Sequence, residues 1–530
     1  MNQNRLKFVT FTIILFYFVI LGRLFYWQII QYENLGQKLI NQNYKASVIP
    51  PQKGEIYDSQ NNPLVINQPL FKLSIYKPDL KLSPDQLSAI IKQINPDEEA
   101  TLNKFLINQN QKWITIKSLL SNEQKKNIND PGISFAQITK RFYPENDLAK
   151  DILNENTGLE NYYKKQLSGK PGFVWESKDA TGQTILSKTS MSIEPVNGRN
   201  LHTTFNRQVQ YIIEKKLKEG ITKFAADSGS ITVISPQSGA VLAMASFTAT
   251  GSATVNPVIA NLFEPGSIFK PLVVSMALDT NSINTNFICT KCDRPHQIGQ
   301  YSISNWDSKF TPNSSLQDII KNSDNIGMSY IIANLGLNNF IQYFQKLNLD
   351  RKIGIDLQGE AKPINKINWP EIDLATASFG QGFAVTQIQM VAAFNSIANN
   401  GTYVHPYIVD HFSEDDKIFP NSRRTELSIF KKETVSDIKS ILKYSVENGV
   451  VAKFKPPKLD VCAKSGTSQI AIKGGYSDSS TIASYIGFSP CQNPKFTMIV
   501  TINNPKSSPW GSSTAAPIWY EIASSLDSLL

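Results

Sequence analysis

Residues 8–21 carry no charge and are all apolar, hydroxylated or aromatic. After Gly22 and Arg23 the apolar run resumes through Leu24, Phe25, Tyr26, Trp27, Ile29 and Ile30. Counted through that interruption, residues 8–30 are long enough to cross a bilayer as a helix. It is the one long apolar run in the 530 residues, and the mean hydropathy of the whole is −0.23, which argues against a multi-span membrane fold. Arg5 and Lys7 precede the run, and the segment just after it is less basic. The positive-inside rule then places residues 1–7 in the cytoplasm and everything after residue 30 outside. Tyr26 and Trp27 fall at the level of the far interface, and Arg23 can snorkel to headgroups. No small-x-small cleavage pattern follows, and the run is long for the core of a signal peptide, so a retained single-pass anchor in the plasma membrane is expected rather than a cleaved leader.

Beyond the anchor, 41% hydrophobic and 18% charged residues provide for a buried core and exclude whole-chain disorder. Four Cys cannot staple a chain of this length, which excludes a disulfide scaffold. The formal charge of +9 is spread along the chain. It suits an anionic surface such as a membrane or cell wall and is too diffuse to argue for nucleic acid.

Residues 31–205 are polar and rich in Asn and Lys. Residues 53–58, the turn 59–63 and Leu64-Val65-Ile66 read as strand, turn and strand, and residues 83–94 and 97–106 as exposed helices. A second turn-rich zone spans residues 169–172, and the region carries no catalytic cluster, so it reads as a spacer, or pedestal. Asn206 is an acceptable N-cap for a helix with Val209, Ile212, Ile213 and Leu217 on one face. A hairpin follows, residues 231–234 and 240–245 about the turn 236–239. Strand-like runs return only at 461–463, 481–487 and 496–502. A sheet built from both ends of residues 206–530, with helices between, predicts an α/β (α+β) domain whose antiparallel sheet is flanked by helices.

Three short clusters in that domain bear on chemistry. In Glu264-Pro265-Gly266-Ser267-Ile268-Phe269-Lys270, Pro and Gly mark a turn and the apolar residues beyond Lys270 mark a helix, which puts the Ser267 hydroxyl and the Lys270 amine on one face. Serine is a poor nucleophile without a base in reach, and lysine serves once burial and neighbouring charge lower its pKa. In Lys321-Asn322-Ser323-Asp324-Asn325, Ser323 and Asn325 point the same way in an extended or tight-turn conformation. Lys464-Ser465-Gly466-Thr467 follows the apolar residues 461–463 and reads as part of an edge strand whose glycine admits a ligand backbone. Each cluster alone has a plainer reading, respectively a surface helix, an N-cap and a β-turn. Their order is what decides: S-x-x-K, then S-x-N, then K-S-G-T is the motif set of active-site serine penicillin-binding proteins and β-lactamases.

The chain resembles the class B penicillin-binding proteins, monofunctional peptidoglycan D,D-transpeptidases, over nearly its whole length. Residues 21–28 are similar to the family's anchor end, and Lys53-Gly54-Glu55-Ile56-Tyr57-Asp58 to its R-G-x-I-x-D box. Arg141-Phe142-Tyr143-Pro144, Gly158-Leu159-Glu160, Phe379-Gly380-Gln381-Gly382, residues 385–389 and Ala398-Asn399-Asn400-Gly401 match further landmarks. The sequence departs from the family at Lys53 for Arg, at Asn61-Asn62 for Asn-Gly and at Asn206 for Asp. The stretch 246–261 is short, so the groove entrance is expected to differ.

The resemblance implies a cytoplasmic tail (1–7), an anchor (8–30), a dimerisation-like pedestal (31–205) and a transpeptidase domain (206–530). It implies Ser267 as the acylated nucleophile, Lys270 as its base, and Ser323 and Asn325 in proton transfer and substrate placement. Lys464, Ser465, Gly466 and Thr467 would form the opposite wall, with the two hydroxyls near the substrate's terminal carboxylate and the backbone N–H groups of Ser267 and Thr467 as oxyanion hole. The implied partners are peptidoglycan stem peptides ending in D-Ala-D-Ala, β-lactam antibiotics, and a polytopic glycan polymerase with other division or elongation proteins; no cofactor and no metal are implied. The alternatives are a D,D-carboxypeptidase or β-lactamase-type hydrolase and a non-catalytic division scaffold. Against them stand the large pedestal, the absence of a clearly placed glutamate after the S-x-N cluster, and the survival of all three motifs.

Cys289-Thr290-Lys291-Cys292 lacks the further ligands of a zinc site, and a disulfide is its plainer reading outside the cytoplasm. For Cys462 and Cys491, on or beside predicted strands, buried free thiols are the default. None of the four His has an Asp partner at a spacing that supports a Ser-His-Asp triad.

Overall fold

The computed structural model describes residues 3–31, 44–177, 191–249, 255–366, 368–421, 426–472 and 475–530. Residues 1–2 of the expected cytoplasmic tail and 250–254 of the shortened stretch lie outside the described residues. The chain forms two compact units, residues 1–54 with 165–199, and residues 55–164 with 200–530.

In the first unit the apolar run is a helix, Gln3–Phe25, extended by a wider final turn, Tyr26–Ile30. There the Gln31 N–H reaches back five residues to Tyr26 O at 2.8 Å. The segment Phe8–Ile30 is 23 residues long and exposed, and its length and composition make it a candidate membrane span. A three-stranded antiparallel sheet completes this unit, with Gly172–Ser177 between Tyr44–Ile49 and Met191–Ile193.

The second unit opens with the lobe that holds most of the predicted pedestal. Its long strand Pro63–Tyr76 pairs with both Trp113–Leu120 and Ile133–Phe142. The turn before it is tied by Asp58, whose carboxylate accepts the N–H groups of Gln60 and Asn62. Asn61 takes the left-handed conformation, φ 60°, which asparagine tolerates, whereas Asn62, which stands for the family's glycine, has no positive φ and so does not require one. Helices Pro84–Ile94 and Glu99–Ile107 were expected to be exposed, and the structure corrects this. Leu87, Ile91, Leu102 and Phe105 are buried against Phe71, Leu73, Ile75, Ile116 and Leu120. Ile90, Ile94 and Leu106 pack against the same core, so each helix presents an apolar face to the lobe and a polar one to solvent. The Arg141 and Glu160 landmarks meet as an ion pair at 2.9 Å, with side chains 9% and 3% exposed.

The catalytic portion is built on a five-stranded antiparallel sheet in the order Val241–Thr248, Ser228–Ile234, Phe496–Asn503, Gly475–Ser489, Cys462–Ile472. Strands from both ends of the domain therefore lie side by side, as the sequence predicts. Asn206 caps the helix Arg207–Phe224 through Gln208 and Val209 N–H. That helix and Ala515–Leu529 bury Val209, Ile213, Leu217, Ile518, Trp519 and Ile522 in one core with Ile231, Val233, Met498 and Val500 of the sheet. The Trp519 indole, fully buried, satisfies its N–H on Met498 O at 2.9 Å. The helix Gln387–Ala398 is pinned to the sheet by Gln387, which bonds Thr232 Oγ1, Ser230 O and Thr501 Oγ1. Cys462–Ile472 is left as an edge strand.

Candidate active site

Residues Gly266–Phe269 form a single 3-10 turn that runs directly into the helix Lys270–Asp279. Three residues per turn eclipse positions i and i+3, so Ser267 and Lys270 come into line. Pro271 suits the first turn of that helix, where its missing N–H leaves no bond unmade. Every residue of the helix is buried, and Lys270 is 0% exposed.

The second cluster sits between two helices, Leu316–Asn322 and Asn325–Leu335. Ser323 closes the first in the left-handed conformation, φ 56°, and Asp324 caps the second through Gly327 N–H at 3.0 Å. The predicted cap and the predicted catalytic pair are thus both present, on adjacent residues. The left-handed corner turns Ser323 and Asn325 toward Lys270. Lys270 Nζ lies 2.6 Å from Ser323 O, 2.8 Å from Asn325 Oδ1 and 3.1 Å from Ser323 Oγ. Asn325 is held by Asn305, whose Oδ1 accepts the Asn325 N–H at 2.8 Å.

The third cluster lies on the edge strand, where the alternation of a strand puts Lys464 and Gly466 on one face and Ser465 and Thr467 on the other. Lys464 Nζ donates to Ser323 Oγ at 3.2 Å and to Ser465 O at 2.9 Å. Gly466 is where the strand meets the nucleophile turn: a Cβ there would stand 2.8 Å from Ile268 Cγ2 and 3.1 Å from Ile268 N. Thr467 Oγ1 accepts the Gly511 N–H at 3.0 Å. Ser465 enters the network through its carbonyl, and its hydroxyl bonds none of the other seven predicted site residues.

The structure therefore gathers all three clusters around one oxygen. Ser323 Oγ donates to Ser267 Oγ at 2.8 Å and is itself reached by both lysines. Lys270 was expected to meet Ser267 directly, whereas here its hydrogen bonds end on Ser323 and Asn325, and Ser323 makes the link. Burial, then the charge of Lys464, drive the Lys270 pKa well below its ordinary value, and the Asp324 carboxylate works against them. Burial alone pushes Lys464 down to about 7. Two ammonium groups in one dry cleft repel, which adds to burial in favouring the uncharged form of Lys270.

Several contributors were not singled out from sequence. Gly380 O accepts the Gly266 N–H at 3.0 Å, and Gly380 has φ 78°, with a Cβ there overlapping the Gly266 carbonyl. The landmark 379–382 is thus the backbone wall behind the nucleophile. Trp306 and Trp510, both exposed, approach with ring centroids 4.9 Å apart. Trp306 also donates to Asn322 O, beside Ser323, at 3.5 Å.

Cys289 and Cys292 are joined as a disulfide, which removes both thiols from metal binding. Cys462 and Cys491 are joined too, which corrects the expectation of free thiols. Their separation of 29 residues gave no local signal, and the pairing of Cys462 with Phe488 across the sheet brings them together. Among the described residues no group of three His, Cys, Asp or Glu side chains could hold a metal ion. His411 bonds its neighbour Asp410 at 2.9 Å, and neither bonds Ser267.

A serine, two buried lysines and a hydroxyl between them, gathered beside this sheet, are the arrangement that an active-site serine acyltransferase of the penicillin-recognising kind would need. Comparison with known proteins agrees: residues 229–524 match the penicillin binding protein transpeptidase domain, and the chain belongs to that family. Residues 48–153 match the penicillin-binding protein dimerisation domain. The chain is 27% identical over 555 residues to stage V sporulation protein D of Bacillus subtilis (strain 168), covering 97% of this chain and 84% of that protein. It is 24% identical over 547 residues to the probable peptidoglycan D,D-transpeptidase PenA of Neisseria gonorrhoeae, covering 98% and 92%. In fold it is similar to penicillin binding protein 2X from Streptococcus thermophilus, with a TM-score of 0.78 and 21% identity over 91% of this chain and 80% of that one.

Proposed function

We propose that the chain is a peptidoglycan D,D-transpeptidase that cross-links stem peptides through a serine acyl-enzyme and is acylated by β-lactams at the same serine. The observation that carries this reading is the continuous hydrogen-bonded path from Lys270 through Ser323 to Ser267, with Lys464 on the far side of the same hydroxyl. Family membership and the printed activity of relatives such as PenA support it.

Ser267 Oγ attacks the carbonyl carbon of the penultimate D-Ala. Its proton passes to uncharged Lys270 by way of Ser323, whose hydroxyl accepts one proton as it gives up another. The backbone N–H groups of Ser267 and Thr467 receive the developing oxyanion, a single such donor being worth roughly 3–4 kcal/mol in an unrelated serine enzyme. The C–N bond then breaks, the proton returns through the relay to the leaving amine, and D-Ala departs. An amine of a second stem attacks the ester, loses its proton along the same route, and Ser267 regains its hydroxyl hydrogen. The covalent intermediate divides one difficult acyl transfer into two easier ones.

Residues 206–530 would be the transpeptidase domain and 31–205 the pedestal, a division supported by the two family matches. The anchor would run with residues 1–7 in the cytoplasm and the rest of the chain outside, on the charge argument above. A polytopic glycan polymerase in the same membrane, with division or elongation proteins, is the partner this arrangement suits, because an anchored cross-linker needs fresh strands delivered at the membrane face.

The test is mass spectrometry of the full chain in detergent after exposure to benzylpenicillin. A covalent adduct on Ser267 that disappears in Ser267→Ala is the expected result. An unmodified Ser267 overturns the reading, and fast release of hydrolysed drug would assign a hydrolase instead.

A further inference from the structure

Glu264 stands three residues ahead of the nucleophile, where three segments meet. Its Oε1 accepts the Gly382 N–H at 3.0 Å, and Tyr476 OH lies 3.0 Å from each carboxylate oxygen. Gly382 belongs to the backbone wall that also bonds Gly266 through Gly380. Tyr476 belongs to the far arm of the hairpin whose near strand carries Lys464 to Thr467, and it pairs across to Ala471 of that strand. The Glu264–Tyr476 contact joins positions 212 residues apart in the chain.

The hairpin thus meets the segment 264–269 in two places, its edge strand over residues 466–468 and its far arm at Tyr476. One contact is the close approach of Gly466 to Ile268 and Pro265. The other is Tyr476 on Glu264. A single contact is a pivot about which the strand can rock, and a second contact further along the hairpin fixes the angle. That angle sets the gap between the Ser267 turn and the Thr467 backbone, which the scissile carbonyl has to enter.

We propose that Glu264 is a positioning residue for acylation: by bonding Tyr476 and Gly382 together, its carboxylate holds the hairpin at the angle that places the Thr467 backbone over Ser267. This rests on the transpeptidase reading of the same site. Misplacing a reacting group by about 1 Å costs on the order of 10²-fold in rate, so a strap remote from the chemistry can govern it. The charged and titratable groups near Glu264 are Lys366, which favours its ionised form, Tyr476, and Asp373, which is paired with Lys366 at 2.6 Å and also acts on Tyr476. Burial outweighs them and raises the Glu264 pKa above the ordinary carboxylate value. As the pH falls the carboxyl gains a proton earlier than an ordinary glutamate would and loses one of its two acceptor sites for Tyr476.

The experiment compares wild type, Glu264→Gln, Glu264→Ala, Tyr476→Phe and the double variant Glu264→Ala/Tyr476→Phe. Each is studied as the full chain in detergent, following acylation by a fluorescent penicillin at saturation from pH 5 to 8. Tyr476→Phe removes one hydroxyl from a side chain 38% exposed, so the fold survives it. At pH 7.5, Tyr476→Phe and Glu264→Ala are expected to slow the acylation step about tenfold or more, with the drug's initial dissociation constant changed less than about twofold. The double variant is expected to be no slower than Glu264→Ala, because both changes open one contact. Glu264→Gln, which keeps an acceptor oxygen, recovers most of the rate and flattens the acid limb of the pH profile. A wild-type rate in Tyr476→Phe, or additive losses in the double variant, overturns the proposal. Failure of wild type to be labelled at all would instead overturn the transpeptidase reading.

Discussion

Ser323 Oγ lies 2.8 Å from Ser267 Oγ, and it is the only side-chain hydrogen-bond partner of the nucleophile among the described residues. A proton leaving Ser267 therefore meets a hydroxyl before it meets an amine. Ser323 occupies a left-handed backbone position, so Ser323→Gly deletes the hydroxyl without adding strain. Acylation by benzylpenicillin is expected to slow by about 10²–10⁴-fold, the usual worth of a general acid–base group, with the melting temperature little changed. Stopped-flow labelling alongside a thermal melt checks this. An undiminished rate means that the proton travels by another route.

The two buried lysines tie stability to pH. Both have folded-state pKa values below those of the unfolded chain, Lys464 at about 7. Between that value and the ordinary lysine range near 10, the unfolded chain binds more protons than the folded one. Stability therefore rises with pH across this window, by up to about 1.4 kcal/mol per pH unit for each lysine involved. Lys464→Met, which fills similar volume without a charge, is expected to flatten that rise. Denaturant midpoints at pH 7, 8 and 9 for the two proteins measure it.

Gly466→Ala would set a methyl group against Ile268 Cγ2 and the Ile268 backbone nitrogen. One neighbour can rotate and the other cannot, so the strand is pushed off the nucleophile turn. The expected cost is about 1–3 kcal/mol of stability, with acylation slowed at least about tenfold. A variant as stable as wild type and labelled as fast shows that the contact carries no weight.

The Arg141–Glu160 pair is nearly dry on both sides. Glu160→Ala strands a buried guanidinium, and the expected loss is about 3–5 kcal/mol, read as an early unfolding step on heating. Below that step, drug labelling of Ser267 should match wild type, since neither residue approaches the catalytic cluster.

What the sequence made legible was local. Ser267 and Lys270 are one turn apart and Ser323 and Asn325 flank a cap, so spacing alone put each of these pairs on one face, and Lys464 to Thr467 follow an apolar run that marks a strand. The sheet was legible for the same reason, since its strands read as alternating or continuous apolar runs. What escaped depends on residues that only the fold brings together. Ser323 replaced Lys270 as the immediate neighbour of Ser267 because a left-handed corner aims it there, and nothing in the motif announces that conformation. Glu264 and Tyr476 carry no periodic signal. Cys462 and Cys491 looked like two separate buried thiols because their pairing follows from strand register. The helices Pro84–Ile94 and Glu99–Ile107 looked exposed because they lie in a polar, Asn- and Lys-rich region, although their own apolar residues outnumber their charges and form the lobe's core.

The contacts of Gly380 and Gly466 with the Ser267 turn have a consequence for how such an enzyme can change under selection. At both points main chain is pressed close to the turn, leaving almost no volume in which a new side chain could be tried. Variants that discriminate between a drug and the natural peptide would therefore arise away from these two contacts, at side chains with room to change such as the exposed Trp306 and Trp510. Adaptation would reshape the doorway while the hinge-pin around the serine stays as it is.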